Sequence, residues 1–171
     1  KSGNVYVQLT NNGSSAINSF TISYNVEKYR MGTNSAGFSI QMYYSADGTT
    51  WTSAGSSFLT SFPADATTIG YDSAPGATVP VTNAILSYSL PAGSSLYLAW
   101  NYSVTSGSTT SSAQALGIDD VSITATGAAS PIIIVNGTLT PFSTYTSTPS
   151  AHQTYTLSGQ NLTGNITVTA P

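Results

Sequence analysis

Cysteine is absent from this chain of 171 residues, and charged side chains are scarce. The absence of cysteine excludes disulfides and thiolate metal sites. Only 5% of the residues are charged, far below the roughly 25% of an average soluble domain. Three basic residues are too few to neutralise a phosphate backbone, so we predict no nucleic-acid partner. No apolar run of about 18 residues occurs, so we also predict no membrane insertion.

The residue types that enzymes use for catalysis are equally scarce. His152 is the single histidine, and no Gly-x-Ser-x-Gly motif marks a serine nucleophile. Asp119 and Asp120 are adjacent, so on a strand they should point to opposite faces and cannot act together as the carboxylate pair of a glycoside hydrolase. We therefore expect a protein without catalytic activity.

What remains in the sequence is typical of an all-β protein. Hydrophobic residues make up 40% of the chain, and Ser and Thr contribute roughly a third. Helix signals are almost absent, whereas alternating apolar and polar segments recur about every 8–12 residues. We predict strands at 4–10, 17–26, 38–45, 84–90, 95–102 and 115–126, with long loops at 62–82 and 103–113.

The alternation also predicts which side chains are buried. Tyr43 and Tyr44 are consecutive, so one of them must face away from the core. Alternate residues from Leu96 to Tyr102 share one face with Trp100, and we predict that this face is buried. Trp51 follows an Asp-Gly turn and is the better candidate for an exposed aromatic ring.

A change of composition at 127–131 predicts a domain boundary, with one domain at 1–127 and a second at 128–171. In the second segment we predict three short strands at 132–135, 153–158 and 165–169. Three strands can barely bury one face of a sheet. We therefore expect the second domain to be incomplete.

Both segments resemble known modules. Residues 4–126 resemble a jelly-roll module of exported multidomain proteins of Bacteroidetes, and residues 131–171 resemble the first part of an Ig-like repeat in the same proteins. The matching segments of the first module are NVYVQLTNN at 4–12, ISY at 22–24, EKYR at 27–30, YYSADGTTW at 43–51 and GIDDVSI at 117–123. Those of the repeat are Phe142, PSAHQTYTLSG at 149–159, NLT at 161–163 and ITVTAP at 166–171.

This resemblance implies a fold and a cellular setting. The fold is an antiparallel jelly-roll β-sandwich followed by a partial Ig-like β-sandwich. The setting is a secreted or cell-surface bacterial protein, often exported by the type IX system. Such modules accompany nucleases, proteases, glycoside hydrolases and adhesins, so the resemblance does not by itself name a ligand.

The ending GIDDVSI is also similar to the last strand of jelly-roll carbohydrate-binding modules, where an Asp commonly holds a structural Ca²⁺. The resemblance implies a calcium site at Asp119, with Asp120 beside it. Calcium takes about six to eight oxygen ligands, and Asn4, Gln8 or backbone carbonyls are further candidates. The alternative is that these carboxylates bind loop amides without a metal.

Glu27, Tyr29 and Arg30 belong to the densest cluster of charge in the chain. Together with Trp51 they are our candidate ligand surface, since Arg and Glu can bind sugar hydroxyls while aromatic rings stack on a pyranose face. The alternative is that Glu27 and Arg30 form an ion pair that orders the following loop. Ser73 lies in a short Asp-Ser-Ala motif that resembles the O-glycosylation motif of Bacteroidetes, and it is a candidate modification site.

The function that these observations favour is glycan binding or adhesion by a non-catalytic module. A structural spacer in a multidomain surface protein is the first alternative. An assembly unit is the second, since unpaired strand edges can be completed by another chain. Exposed aromatic rings would favour binding, and buried ones would favour a spacer.

Overall fold

The computed structural model describes residues 3–70, 74–105, 112–127, 131–141, 143, 145–162 and 164–169. This part of the chain is almost entirely β-structure, which confirms the predicted all-β class. Its single helix is a 3-10 turn at Ser56–Phe58, and no helix there is long and apolar enough to cross a membrane. The strands are β1 (Gly3–Thr10), β2 (Ile17–Met31), β3 (Phe38–Ser45), β4 (Thr52–Ser53), β5 (Leu59–Phe62), β6 (Ile69–Gly70), β7 (Ala77–Leu90), β8 (Ser95–Val104), β9 (Ala115–Gly127), β10 (Ile132–Asn136) and β11 (Thr156–Gln160).

Strand β8 lies at the centre of the first sheet, between β1 and β3. Strands β4 and β5 pair with successive parts of the other edge of β3. All of these pairs are antiparallel. The register of β1, β8 and β3 is continuous, so residues on the three strands line up in rows across the sheet. The outward members of these rows form one solvent-facing surface.

The second sheet is built around β2, which pairs with β7 on one side and β9 on the other. Strand β6 pairs with the last two residues of β2. Along β2, Phe20, Ile22, Tyr24 and Val26 are buried at every second position. This alternation makes one face of the sheet apolar and leaves the other face to polar residues.

The apolar faces of the two sheets pack together and form the core of an antiparallel β-sandwich. Tyr44 packs on this core, and Leu96, Leu98 and Trp100 are buried in it, as predicted. The buried core residues are Phe20, Ile22, Tyr24, Val26, Ile40, Met42, Phe58, Phe62, Val81, Ala84, Leu86, Leu90, Leu96, Leu98 and Trp100.

The predicted loop at 62–82 and the predicted strand at 165–169 are wrong in part or whole, and β2 continues beyond its predicted end at 26 to Met31. Strand β7 begins at Ala77, inside the segment that was predicted to be a loop because of its prolines. Pro80 is tolerated there because, among the described strands, β7 is an edge strand that pairs with β2. In the second segment, residues 165–169 form no strand, and no described residue pairs with them.

The chain divides into two compact units, residues 1–128 and 129–171. The first contains the sandwich. In the second, β10 and β11 form an antiparallel pair, and Ile132, Ile133 and Val135 of β10 are exposed.

Candidate functional site

Three outward residues of the first sheet form a row that is concave at its centre. Ala99 on β8 is the register partner of Tyr6 on β1 and of Tyr43 on β3. Neighbouring strands lie about 4.8 Å apart. The methyl group of Ala99 therefore lies between the side chains of Tyr6 and Tyr43, whose strands are separated by two such spacings. Ala99 is only 3% exposed, whereas Tyr6 is 60% exposed. The small side chain of Ala99 therefore creates a depression between larger neighbours.

Trp51 completes this depression. Its ring centroid lies 5.4 Å from that of Tyr6, with the ring planes tilted by 46°. The turn before Trp51 is held by Asp47, whose carboxylate accepts hydrogen bonds from the backbone N–H groups of Thr49 at 2.8 Å and Thr50 at 2.7 Å. These bonds, led by that of Thr50, hold the pKa of Asp47 well below its usual range. The positive φ of 73° at Gly48 lets the chain turn back toward the sheet.

An amide network borders the aromatic rings. Asn101 on β8 is the register partner of Asn4 on β1. Asn101 Nδ2 donates to Asn4 Oδ1 at 2.7 Å, and Asn4 Nδ2 donates to the Tyr6 hydroxyl at 2.8 Å. This network fixes the orientation of three polar groups at the rim of the depression.

Together these side chains line an open cavity of about 250 Å³. We call it the aromatic cleft, and its lining residues are Asn4, Tyr6, Tyr43, Trp51, Ala99 and Asn101. None of the six is charged. Aromatic faces beside fixed hydrogen-bonding groups suit a ligand that is apolar on one side and rich in neutral polar groups on the other.

The structure does not bring Trp51 together with the other predicted ligand residues. Glu27, Tyr29 and Arg30 lie on β2, in the opposite sheet. The Tyr29 hydroxyl donates a short hydrogen bond to the Glu27 carboxylate, and this bond raises the pKa of Tyr29. Glu27 is 9% exposed, so its carboxylate is committed to this internal contact. The charged cluster and the aromatic cleft are therefore separate surfaces.

The charged segment also contributes to the interior of the sandwich. Lys28 Nζ lies 3.1 Å from Asp65 Oδ1 in a salt bridge whose side chains are 9% and 11% exposed. Gln114 Nε2 donates to the other carboxylate oxygen of Asp65 at 2.6 Å. The Phe62 ring lies under the ammonium group, with 5.6 Å between Nζ and the ring centroid. This arrangement ties β2 to the segments that precede β6 and β9.

Asp119 and Asp120 lie at a β-bulge, and the expectation that they point to opposite faces is wrong. The register of β2 and β9 slips between the pairs Ser23–Ser122 and Asn25–Asp119, and Asp120 has a φ of 51°. Asn25 Nδ2 donates to Asp120 Oδ2 at 2.9 Å, although Asn25 is the register partner of Asp119. Because the bulge adds a residue, both carboxylates lie on the outward face. The expectation that the protein has no catalytic activity then rests on its single histidine and on the lack of a Gly-x-Ser-x-Gly motif in its sequence, and it stays a prediction.

Calcium at this bulge also stays a prediction. Asp119 Oδ1 accepts a hydrogen bond from the backbone N–H of Asp120 at 2.8 Å, as a carboxylate bound to amides would. In the part of the chain that the structure describes, no three His, Cys, Asp or Glu side chains come together as a metal site. Ser73, the predicted glycosylation site, lies outside the described residues.

Of the six cleft residues, the sequence indicated Trp51 alone as a sugar contact, whereas Asn4 was a candidate for calcium. A signal was present for Tyr6 and Asn4, since both alternate with the apolar residues of β1 and must face outward once Val7 and Leu9 face the core. What the alternation could not show is that β1 pairs with β8.

No protein-family model, curated protein or solved structure matches this chain.

Proposed function

We propose that this chain is a non-catalytic module that binds a neutral glycan through the aromatic cleft. The observation that carries the proposal is the row Tyr6–Ala99–Tyr43, which leaves aromatic rings at the edges of an uncharged, preformed depression. The rings offer faces on which the apolar side of a pyranose can stack. The Asn4–Asn101 network offers oriented amide groups for hydroxyls.

The absence of charge from the lining supports a neutral ligand. A sugar carboxylate or sulfate buried against these rings would lose hydration without gaining a counter-ion. A neutral sugar exchanges its water contacts for hydrogen bonds to amides and a phenol. The rings already pack on each other in the free protein, so little side-chain entropy is lost on binding.

A panel of soluble polysaccharides and oligosaccharides, followed by isothermal titration calorimetry of each hit, tests the proposal. We expect Trp51→Ala and Tyr6→Ala each to weaken binding by about tenfold or more, as loss of a stacked ring predicts. Tyr29→Ala is the matched control, because it removes an exposed tyrosine from the opposite sheet. Binding that Tyr29→Ala or Arg30→Ala abolishes, while Trp51→Ala leaves it intact, would move the site to the charged cluster.

The wider setting belongs to the same proposal. We place the module in a secreted or cell-surface bacterial protein of jelly-roll type, in line with the resemblance of its sequence. Calcium at Asp119 and Asp120 would act as a structural ion. The thermal midpoint measured in excess calcium and then in EDTA tests this, with Asp119→Asn as the control. An equal midpoint in both conditions would count against calcium.

A second function, as an assembly unit, is favoured by one observation in the second compact unit. Ile133 and Val135 of β10 are 56% and 60% exposed, on a sheet of two described strands. An apolar strand with a free edge can pair with a strand of another chain. Light scattering over a concentration series tests this function. We expect Val135→Lys to lower the average mass of any oligomer that forms, and a monomer at every concentration would exclude it.

A further inference from the structure

Each hydrogen bond of the aromatic cleft has an assigned donor and acceptor. This assignment shows which polar groups of the cleft remain available to a ligand. The Tyr6 hydroxyl accepts from Asn4 Nδ2, so its own hydrogen is left to be donated. Asn101 uses Nδ2 to bind Asn4, so its Oδ1 is left as an acceptor. Within this network, the Tyr6 hydroxyl is therefore left as a donor on β1 and Asn101 Oδ1 as an acceptor on β8.

A small apolar side chain lies next to these two groups, because Ala99 is the register partner of Tyr6 and lies two positions before Asn101 on β8. Ala99 places its methyl group at the bottom of the cleft, and the rings of Tyr6, Tyr43 and Trp51 surround it. A hydroxyl that entered this space would be desolvated against carbon atoms, which is unfavourable without a hydrogen bond. A methyl group that entered it would gain buried apolar contact.

A planar amide that carries a methyl group matches both features. We infer that the cleft selects a 2-acetamido sugar, that is, an N-acetylated hexosamine residue of a glycan; this inference rests on the proposed function. The acetamido carbonyl accepts from the Tyr6 hydroxyl, and its N–H donates to Asn101 Oδ1. Its methyl group packs on Ala99, which makes Ala99 the specificity-determining residue.

The cavity volume fits a single sugar residue as the unit of recognition. About 250 Å³ is slightly below the range of roughly 300–1,000 Å³ that pockets for drug-sized ligands cover. The cleft is open to solvent along the sheet, so neighbouring sugars of a chain can extend outside it. The same chemistry favours the acetylated sugar over the free amine, because the amine offers neither a carbonyl acceptor for Tyr6 nor a methyl group for Ala99.

Three trisaccharides with one backbone test the inference by calorimetry. Cellotriose, triacetylchitotriose and fully deacetylated chitotriose share the β-1,4-linked gluco chain and differ only at C2. We expect triacetylchitotriose to bind about tenfold more tightly than cellotriose or the deacetylated trimer, as one or two net hydrogen bonds predict. Equal affinity for cellotriose and triacetylchitotriose would overturn the inference and leave glycan binding standing. Binding of neither, with a blank polysaccharide panel, would overturn both.

Ala99→Val provides the second arm. The two added methyl groups fill the bottom of the cleft from an outward position, and valine is favoured in strands, so the fold should persist. A thermal melt verifies the fold before titration. We expect the preference for the acetylated trimer to fall from about tenfold toward parity. Ser122→Val is the matched control, since it adds a valine at an exposed strand position of the opposite sheet. A preference that Ala99→Val leaves unchanged would show that the acetamido group does not enter the cleft.

Discussion

Tyr6 and Trp51 are separated by 45 positions in the sequence, yet their ring centroids lie 5.4 Å apart on the outer face of the first sheet. Tyr6 comes from the edge strand β1, and Trp51 comes from the turn that follows β3. Each ring covers part of the other, so the aromatic cleft has its shape before any ligand arrives. Preorganisation of this kind lowers the entropic cost of binding.

The first prediction follows from this contact. Tyr6→Ala should remove the ring that shields Trp51 and increase quenching of tryptophan fluorescence by acrylamide. Trp100 is 3% exposed and should contribute little to the change. We also expect the free energy of unfolding to fall by about 1 kcal/mol, as is typical of an aromatic pair. Tyr155→Ala, which removes an exposed tyrosine from the second unit, is the control, and equal quenching in the two variants would contradict the prediction.

Most strands of the sandwich could be predicted from the local sequence, whereas the set of residues that line the cleft could not. Alternation along β3 indicated correctly that Tyr43 or Tyr44 faces outward, because period two follows directly from strand geometry. The row Tyr6–Ala99–Tyr43 depends instead on which strands are neighbours. That choice is made by long-range packing of the two apolar faces, and no local pattern encodes it.

The charged residues also show that local sequence patterns do not predict which residues come together in the fold. The sequence placed Glu27, Tyr29 and Arg30 near Trp51 because all four have chemistry suited to sugars. The structure places the first three on the second sheet. It also inserts a bulge at Asp120, whose positive φ cannot be deduced from alternation. A single extra residue of this kind changes which face a carboxylate occupies.

The second prediction concerns the buried salt bridge. Lys28→Met should leave the Asp65 carboxylate buried, with the amide of Gln114 as its remaining side-chain partner among the described residues. Removing one member of a buried pair costs about 3 kcal/mol or more. Urea denaturation of the variant should therefore show a lower midpoint with an unchanged slope.

The double variant Lys28→Met with Asp65→Leu distinguishes two causes of the lower stability. One is loss of the attraction between Lys28 and Asp65, and the other is the Asp65 carboxylate left buried without a cation. If the cost comes from an uncompensated carboxylate, the double variant should be more stable than Lys28→Met alone, since apolar replacements of buried pairs are often neutral. A double variant less stable than either single variant would show that the pair itself stabilises the fold.

The third prediction concerns Tyr24, which lies in the core of the sandwich. Its hydroxyl donates to the carbonyl oxygen of Phe58 at 2.9 Å, in a buried contact. Burial raises the pKa of Tyr24, so the phenol stays protonated as the donor at neutral pH. Tyr24→Phe should lower the free energy of unfolding by about 1–2 kcal/mol, because the carbonyl loses its partner. Tyr155→Phe, at an exposed site in the second unit, should have no such effect on the sandwich.

The fourth prediction concerns the pH dependence of the turn that carries Trp51. The pKa of Asp47 is lowered in the folded state, mainly by the backbone N–H of Thr50. A lowered folded pKa stabilises the protein above the unfolded pKa of about 3.9, and this contribution is lost as the pH falls toward the folded value. Asp47→Asn keeps an acceptor oxygen but removes the charge, so it should lower the thermal midpoint at neutral pH.

The difference in thermal midpoint between wild type and Asp47→Asn should therefore be largest from about pH 5 to 7 and shrink below about pH 4. A difference that stays constant over this range would show that the charge of Asp47 is not what holds the turn. Acrylamide quenching at neutral pH adds a local readout, because a loosened turn should expose Trp51. If quenching rises at a temperature at which the variant is still fully folded, the Asp47 turn is what positions one wall of the cleft.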